Sequence, residues 1–151
     1  MGLPEEQIEG IRIAGVIHDH GKISIPAEIL SKPSFLSEHE LGIIRGHSQV
    51  GFDILKNVEF PWPIAEIVYQ HHKRIDGSGY PQGLSADEIH IEARILAVAD
   101  TYEAMATHRP YRPALGSNEA IKEIFLRRKQ LYEPKAVDAC MRLIMDQGFE
   151  F

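Results

Sequence analysis

Cysteine is almost missing from this chain, which has one among 151 residues. A single cysteine cannot form an intramolecular disulfide, which suits a reducing compartment. Long apolar runs are missing too, since no segment approaches the roughly 18 apolar residues of a membrane-spanning helix. The acidic amino terminus, MGLPEEQIEG, lacks the apolar core of a secretory signal peptide. We therefore expect a cytoplasmic protein without a membrane segment.

Positive charge is also in deficit. The sequence contains 16 Lys and Arg against 22 Asp and Glu, which gives a formal charge of −6. A broad nucleic-acid-binding surface requires the opposite balance, so we expect no DNA or RNA partner. A small anionic ligand remains compatible, because a local cluster of cations can override the global sign.

Strand-like alternation is absent, and apolar residues recur with helical spacing along the chain. Ser37 with Glu40 and Ser85 with Glu88 fit capping boxes. Gly and Pro residues predict a loop with at most one short turn over 22–33. The predicted helices cover about 5–18, 37–56, 64 onward, 91–106, 117–128 (capped by Ser117) and 134–147. We predict one all-α domain, a bundle of about six helices over residues 1–151.

Six potential metal ligands fall on inward faces of separate predicted helices. Any one of these histidines alone is better explained as an ordinary core residue. Burying four imidazoles with two carboxylates is costly unless something offsets the desolvation. Divalent Fe, Mn, Zn or Ni would do so, because His nitrogens and Asp oxygens suit them. The six are His18, Asp19, His47, His71, His72 and Asp100. The remaining histidines, His20, His39, His90 and His108, are expected to be solvated or peripheral.

Four segments in order resemble the HD-GYP branch of the HD phosphohydrolase superfamily. They are IHDHGKISIPAEILSKP (17–33), the lone His47, HHKRIDGSGYP (71–81) and ARILAVADTYEAMATHRPYR (93–112). The resemblance implies an HD-domain-like helical bundle that binds two or three transition metals. It also implies hydrolysis of cyclic di-GMP to linear pGpG or GMP by a metal-bridging hydroxide.

Roles for the metal ligands follow from the same resemblance. His18 and Asp19 would be paired ligands, with Asp19 bridging two metals, and Asp100 would bind the second metal. The first site would be completed by His47, His71 and His72.

The resemblance also implies residues that act on the substrate. Lys22 would reach toward the scissile phosphate or the nucleophilic water. A signature loop near the substrate would be formed by Gly79, Tyr80 and Pro81. Arg109 and Arg112 would hold phosphate or guanine edges, a task suited to the rigid fork of arginine donors.

Two features depart from the family pattern. Family members carry an earlier helix that supplies a His and, in some, a Glu, whereas residues 1–17 contain no histidine. We therefore expect an amino-terminally truncated domain with two metals at most and only one fully equipped site. The uncovered apolar surface would be buried in a homodimer. Lys73 stands where the family usually has Glu. The change would either weaken a contact to a metal ligand or place the lysine in solvent without effect.

The leading functional hypothesis is a metal-dependent cyclic di-GMP phosphodiesterase. The alternative is a degenerate module that binds metal, nucleotide or a protein partner with weak or no turnover. The short ligand set favours the alternative, while Lys22, the GYP loop and the two arginines favour catalysis. A phosphohydrolase for another nucleotide and a helical protein with a structural metal are the remaining hypotheses.

Overall fold

The computed structural model describes residues 1–81, 83–108 and 113–149. Within these ranges the chain folds into helices and turns, with two isolated β-bridges, which confirms the predicted all-α class. The α-helices are α1 (Glu5–Ile17), α2 (Ala27–Leu30), α3 (Glu38–Arg45), α4 (His47–Leu55), α5 (Ile64–Gln70), α6 (Ile91–Ala106), α7 (Ser117–Leu126) and α8 (Pro134–Met141). Two 3-10 turns (His20–Ser24 and Ala86–Glu88) and a π-helical turn (Arg142–Asp146) complete them. None of the helices described is both long and apolar enough to traverse a bilayer.

The predicted helix over 37–56 is divided in two. It begins as predicted, because Ser37 and Glu40 form a reciprocal capping box. The prediction of one continuous helix is wrong, since α3 ends at Arg45 and α4 begins at His47 beyond Gly46. Glycine is a weak helix former. The break separates α3, which buries no residue, from α4, whose first residue His47 is 1% exposed.

Other boundaries differ by smaller amounts. The predicted loop over 22–33 contains most of one 3-10 turn and the short α2. Ser85 and Glu88 form the expected capping box, but it lies at the start of a 3-10 turn that precedes α6. Ser117 does not cap α7, because it is the first helical residue and Gly116 is the cap. The Ser117 hydroxyl lies 2.7 Å from the Tyr102 hydroxyl instead.

Two apolar clusters share α6. The first packs α1, α4 and α5 against the amino-terminal half of α6, around Ile67 and Ala93, which are both 0% exposed. The second packs α7 and α8 against the carboxyl-terminal half, around Ile124 and Val137. Asp100 lies two residues beyond Val98 of the second cluster. The helices of the first cluster carry the other predicted ligands.

Candidate metal centre

The structure brings the six predicted ligands together from four parts of the chain. His18 and Asp19 directly follow α1, and His47 opens α4. The two histidines after α5 and Asp100 in α6 complete the group. His47 and His71 are almost inaccessible, at 1% and 0% exposure. Residues up to 82 positions apart in sequence therefore form one cluster at the edge of the first core.

Backbone carbonyls orient three of the histidines in the same way. In each, Nδ1 lies near the carbonyl oxygen three residues earlier, at 2.7 Å in His18, 2.7 Å in His47 and 2.5 Å in His71. A carbonyl oxygen can only accept, so Nδ1 carries the proton and donates. In the neutral ring Nε2 is then left with an unshared lone pair. All three imidazoles are set up to bind through Nε2.

Two of these Nε2 atoms face each other. The distance between them is 3.3 Å in His47 and His71. A proton shared between the two Nε2 atoms is disfavoured, because burial lowers the pKa of His71 to about 4 and also lowers the pKa of His47. Two buried lone pairs at this distance need an electron-pair acceptor, and a metal cation is one. His47, His71 and His72 each offer a ligand atom within 4.8 Å of the others.

Asp19 lies between two histidines. Its Oδ1 is 3.4 Å from Nε2 of His47, and its Oδ2 is 3.5 Å from Nε2 of His18. His18, Asp19 and His71 form a second group within 4.8 Å, so His71 belongs to both groups. A carboxylate with one oxygen toward each side suits a bridging position. Lys22 donates to Oδ2 of Asp19 at 2.5 Å.

Asp100 closes the cluster on the side of α6. Its oxygens lie 3.7 Å from Nε2 of His18 and 3.7 Å from Nδ1 of His72. Burial raises the pKa of Asp100, but the hydrogen bond with His18 and the imidazoles outweigh it, so the net pKa is lowered. Burial lowers the pKa of His72 to about 2. Burial lowers the pKa of His18 as well, but Asp100 and Asp19 more than compensate and raise it.

The donor set therefore fits divalent transition metals. Metal ligands must be deprotonated, and here the carboxylate of Asp100 is held ionised while three imidazoles are held neutral. Imidazole nitrogen combined with carboxylate oxygen suits Fe, Mn, Zn and Ni.

The predicted signature loop packs directly on the backbone that follows α5. A Cβ at Gly79 would overlap the carbonyl oxygen of His72 and lie 2.5 Å from Cα of Lys73. This close approach brings the Tyr80 ring to 4.6 Å from the His72 ring, at an interplanar angle of 31°. Burial raises the pKa of Tyr80, so its hydroxyl remains a donor. Pro81 follows, partly buried, on the same loop.

Lys73 is not in solvent, which removes one of the two roles expected for it. It is 3% exposed, and its ammonium lies 5.1 Å from the centroid of the Tyr69 ring. Burial lowers its pKa, partly offset by Glu88. The lysine is therefore part of the packing beneath the signature loop.

The remaining predicted positions lie outside the cluster or outside the residues that the structure describes. Arg109 and Arg112 lie outside the described residues, so their roles stay predictions. His20, His39 and His108 are exposed, as expected, and His90 precedes α6 as its cap.

One cation beside the loop was missed by the sequence analysis. Arg45, the last residue of α3, has its guanidinium carbon 5.8 Å from the centroid of the Tyr80 ring. Its only signal in the sequence is its place two residues before His47.

Comparison with known proteins identifies relatives across nearly the whole chain. Residues 1–136 match the HD domain family, a range that includes all six predicted ligands. The chain is 40% identical over 144 residues to the cyclic di-GMP phosphodiesterase response regulator RpfG of Xanthomonas campestris. It is 43% identical over 145 residues to a cyclic di-GMP phosphodiesterase of Thermotoga maritima. It is 34% identical over 152 residues to the 3'3'-cGAMP-specific phosphodiesterase 2 of Vibrio cholerae.

These relatives are much longer proteins. The alignments cover 94%, 95% and 99% of this chain but 38%, 39% and 28% of the respective relatives. Among solved structures, Bd1817, an HDG"Y"P protein from Bdellovibrio bacteriovorus, superimposes with a TM-score of 0.70 at 18% identity. That superposition covers 88% of this chain and 42% of Bd1817. At this identity the structural likeness supports the fold.

Proposed function

This chain belongs to the HD-domain family, in its HD-GYP branch, and from that premise we propose that it is a metal-dependent phosphodiesterase that hydrolyses cyclic di-GMP. The observation that carries the proposal is the pair of buried Nε2 atoms of His47 and His71, 3.3 Å apart and beside an ionised Asp100. Relatives named as cyclic di-GMP phosphodiesterases supply the substrate class.

Two divalent metals per chain are part of the proposal. His47, His71 and His72 would hold one, and His18, Asp19 and Asp100 would hold the other with help from His71. Bound metals would supply the Lewis acidity that activates water and neutralises charge on the phosphoryl oxygens. The carbonyls behind His47 and His71 keep their tautomers fixed, so that no proton has to leave Nε2 when a ligand bond forms.

Three residues would act on the substrate beside the metals. Lys22, held by Asp19, would place a positive charge where negative charge develops on the phosphate. Tyr80 keeps its proton and would donate to a substrate oxygen from the face of His72. Gly79 allows that approach, because any side chain there would push the loop away. Arg109 and Arg112 would bind phosphate or guanine edges.

The test is reconstitution followed by a matched pair of variants. The chain is loaded with Mn or Fe, its metal content is measured by elemental analysis, and cyclic di-GMP turnover is followed by chromatography. Asp19→Asn should lower turnover by about a hundredfold or more, above the range seen when outer-shell partners are lost. Asp53→Asn removes the same charge from an exposed Asp53–Lys56 pair and should leave turnover unchanged.

Other outcomes decide between the hypotheses. About two metals per chain with linear product would support the enzyme. Tight binding of metal and cyclic di-GMP without product would support a binding module instead. Faster turnover of 3'3'-cGAMP than of cyclic di-GMP would reassign the substrate. Equal rates for Asp19→Asn and wild type would contradict the role of the cluster.

A homodimer and a cytoplasmic location are also proposed. Two apolar side chains close to His18 and Asp19 in the sequence are largely exposed, Val16 by 74% and Ile23 by 77%. Their exposure supports a second subunit that would cover them. Light scattering at micromolar concentration tests the dimer, and a monodisperse monomer would contradict it.

A further inference from the structure

Arg45 differs from most arginines of the described chain. Four others, Arg12, Arg94, Arg127 and Arg128, each form an ion pair with a carboxylate. Within residues 1–81, 83–108 and 113–149, Arg45 forms no ion pair with a carboxylate. The side chain is exposed, in a protein where carboxylates outnumber cations by 22 to 16. An unpaired guanidinium here is available to an external anion.

The position of Arg45 connects it to the metal cluster. Its guanidinium lies near the ring of Tyr80, and the Tyr80 ring lies against the ring of His72. In the chain, Gly46 alone separates it from the buried His47. Arg45 therefore stands at the outer end of a column of planar groups whose inner end is a candidate metal ligand.

The neighbouring cations are already engaged with protein groups. Lys22 donates to Asp19 at 2.5 Å. Arg74 donates to the Lys73 carbonyl at 3.1 Å and lies over the ring of Tyr132 at 5.1 Å. Of Lys22, Arg45 and Arg74, only Arg45 has no side-chain hydrogen bond or ion pair among the described residues, and its one contact is the Tyr80 ring.

Resting on the proposed function, we infer that Arg45 is a specificity-determining residue that binds hydrogen-bond acceptors of the cyclic dinucleotide outside the scissile phosphodiester. Those acceptors are the second phosphate or the Hoogsteen edge of a guanine, since the guanidinium fork pairs with both. The column geometry puts Arg45 beyond the ring that covers His72, away from the atoms that react.

The experiment compares Arg45→Gln with Arg127→Gln on three substrates. Arg127 is an exposed arginine on the helix end of α7, so its variant controls for the loss of one positive charge. Cyclic di-GMP, cyclic di-AMP and bis(p-nitrophenyl) phosphate are used, the last having neither a second phosphate nor a base. The dissociation constant of cyclic di-GMP is measured by calorimetry beside kcat and KM.

Arg45→Gln should weaken cyclic di-GMP binding and raise KM by about tenfold or more, because a charge-assisted hydrogen bond is lost. The kcat should be nearly unchanged. Bis(p-nitrophenyl) phosphate kinetics should be unaffected. Equal losses for both dinucleotides identify the second phosphate, and a loss for cyclic di-GMP alone identifies guanine.

Two results would overturn the inference. One is an Arg45→Gln protein that binds and turns over cyclic di-GMP like wild type and like Arg127→Gln. The other is an equal loss on the aryl diester, which would indicate a general effect on the site. A wild-type protein that binds cyclic di-GMP without hydrolysing it would defeat the proposed enzyme while leaving Arg45 testable by calorimetry. Wild-type protein that neither binds nor hydrolyses it would defeat both.

Discussion

Gly21→Ala should damage both the fold and the metal centre. Gly21 is buried in the 3-10 turn after Asp19, and this turn rests on the backbone of α4. An added Cβ would overlap the His47 carbonyl oxygen and lie 2.6 Å from the Gly51 nitrogen. Both obstacles are backbone atoms, so no rotation of a side chain relieves them.

The cost can be estimated from this geometry. Real Cβ atoms essentially never approach non-bonded heavy atoms within 3.0 Å, so the turn and the His47 carbonyl must move apart by about an ångström. Overpacking costs typically about 1–3 kcal/mol, and rigid obstacles place Gly21→Ala at about 3 kcal/mol or above. The same movement separates Asp19 from His47, which are 3.4 Å apart, so metal content should fall as well.

Urea unfolding and elemental analysis measure the two effects. Gly42→Ala is the matched control, because no heavy atom lies within 4 Å of its added Cβ. Replacing a helical glycine by alanine should stabilise α3 by about 0.5–1 kcal/mol. If Gly21→Ala retained wild-type metal content and lay within about 0.5 kcal/mol of wild type, the packing of this turn on α4 would be refuted.

Three further predictions concern the metal, the pH and the second apolar cluster. Removing metal by chelation should lower Tm, because a ligand present at a hundred times its Kd stabilises the fold by about 3 kcal/mol. Calorimetry with and without EDTA measures this shift, and an unchanged Tm would contradict a metal site. In metal-free protein, stability should fall as the pH drops from 6.5 to about 4, because unfolded His71 takes up a proton that the folded state excludes. The loss is on the order of 3 kcal/mol, and urea titrations should show a flatter profile for His71→Gln. Ile124 is 1% exposed, so Ile124→Ala should lower the free energy of unfolding by about 2–5 kcal/mol. The folded fraction should keep its full metal content. A folded variant that has lost metal would show instead that the second apolar cluster supports the site.

Local signals in the sequence predicted the helices well where caps were present. Ser37 and Glu40 marked the start of α3, and the helix predicted from 64 onward begins at Ile64 as α5. The break at Gly46 was missed because the apolar spacing from Ile43 to Val50 continues through it. Periodicity records which face is buried, and that face continues across Gly46, so the pattern gives no sign of the break.

The cluster was predictable because buried polar residues stand out against an apolar pattern. His47 and Asp100 interrupt inward-facing stripes, and the structure places them in one group. The stacking of Tyr80 on His72 and the approach of Arg45 were not predictable in this way. They depend on how a glycine-containing loop folds back onto the backbone that follows α5, which no local spacing encodes.

The ends of α1 and α5 give the site a polarity that does not depend on any side chain. α1 stops immediately before His18, and α5 stops immediately before His71. Aligned peptide dipoles leave about half a negative charge at the carboxyl end of a helix. Two such ends lie at the cluster against one positive amino end, that of α4 at His47, so the helix ends on balance favour a cation over an anion there. We therefore expect a cation to enter the cluster before an anionic dinucleotide can bind beside it.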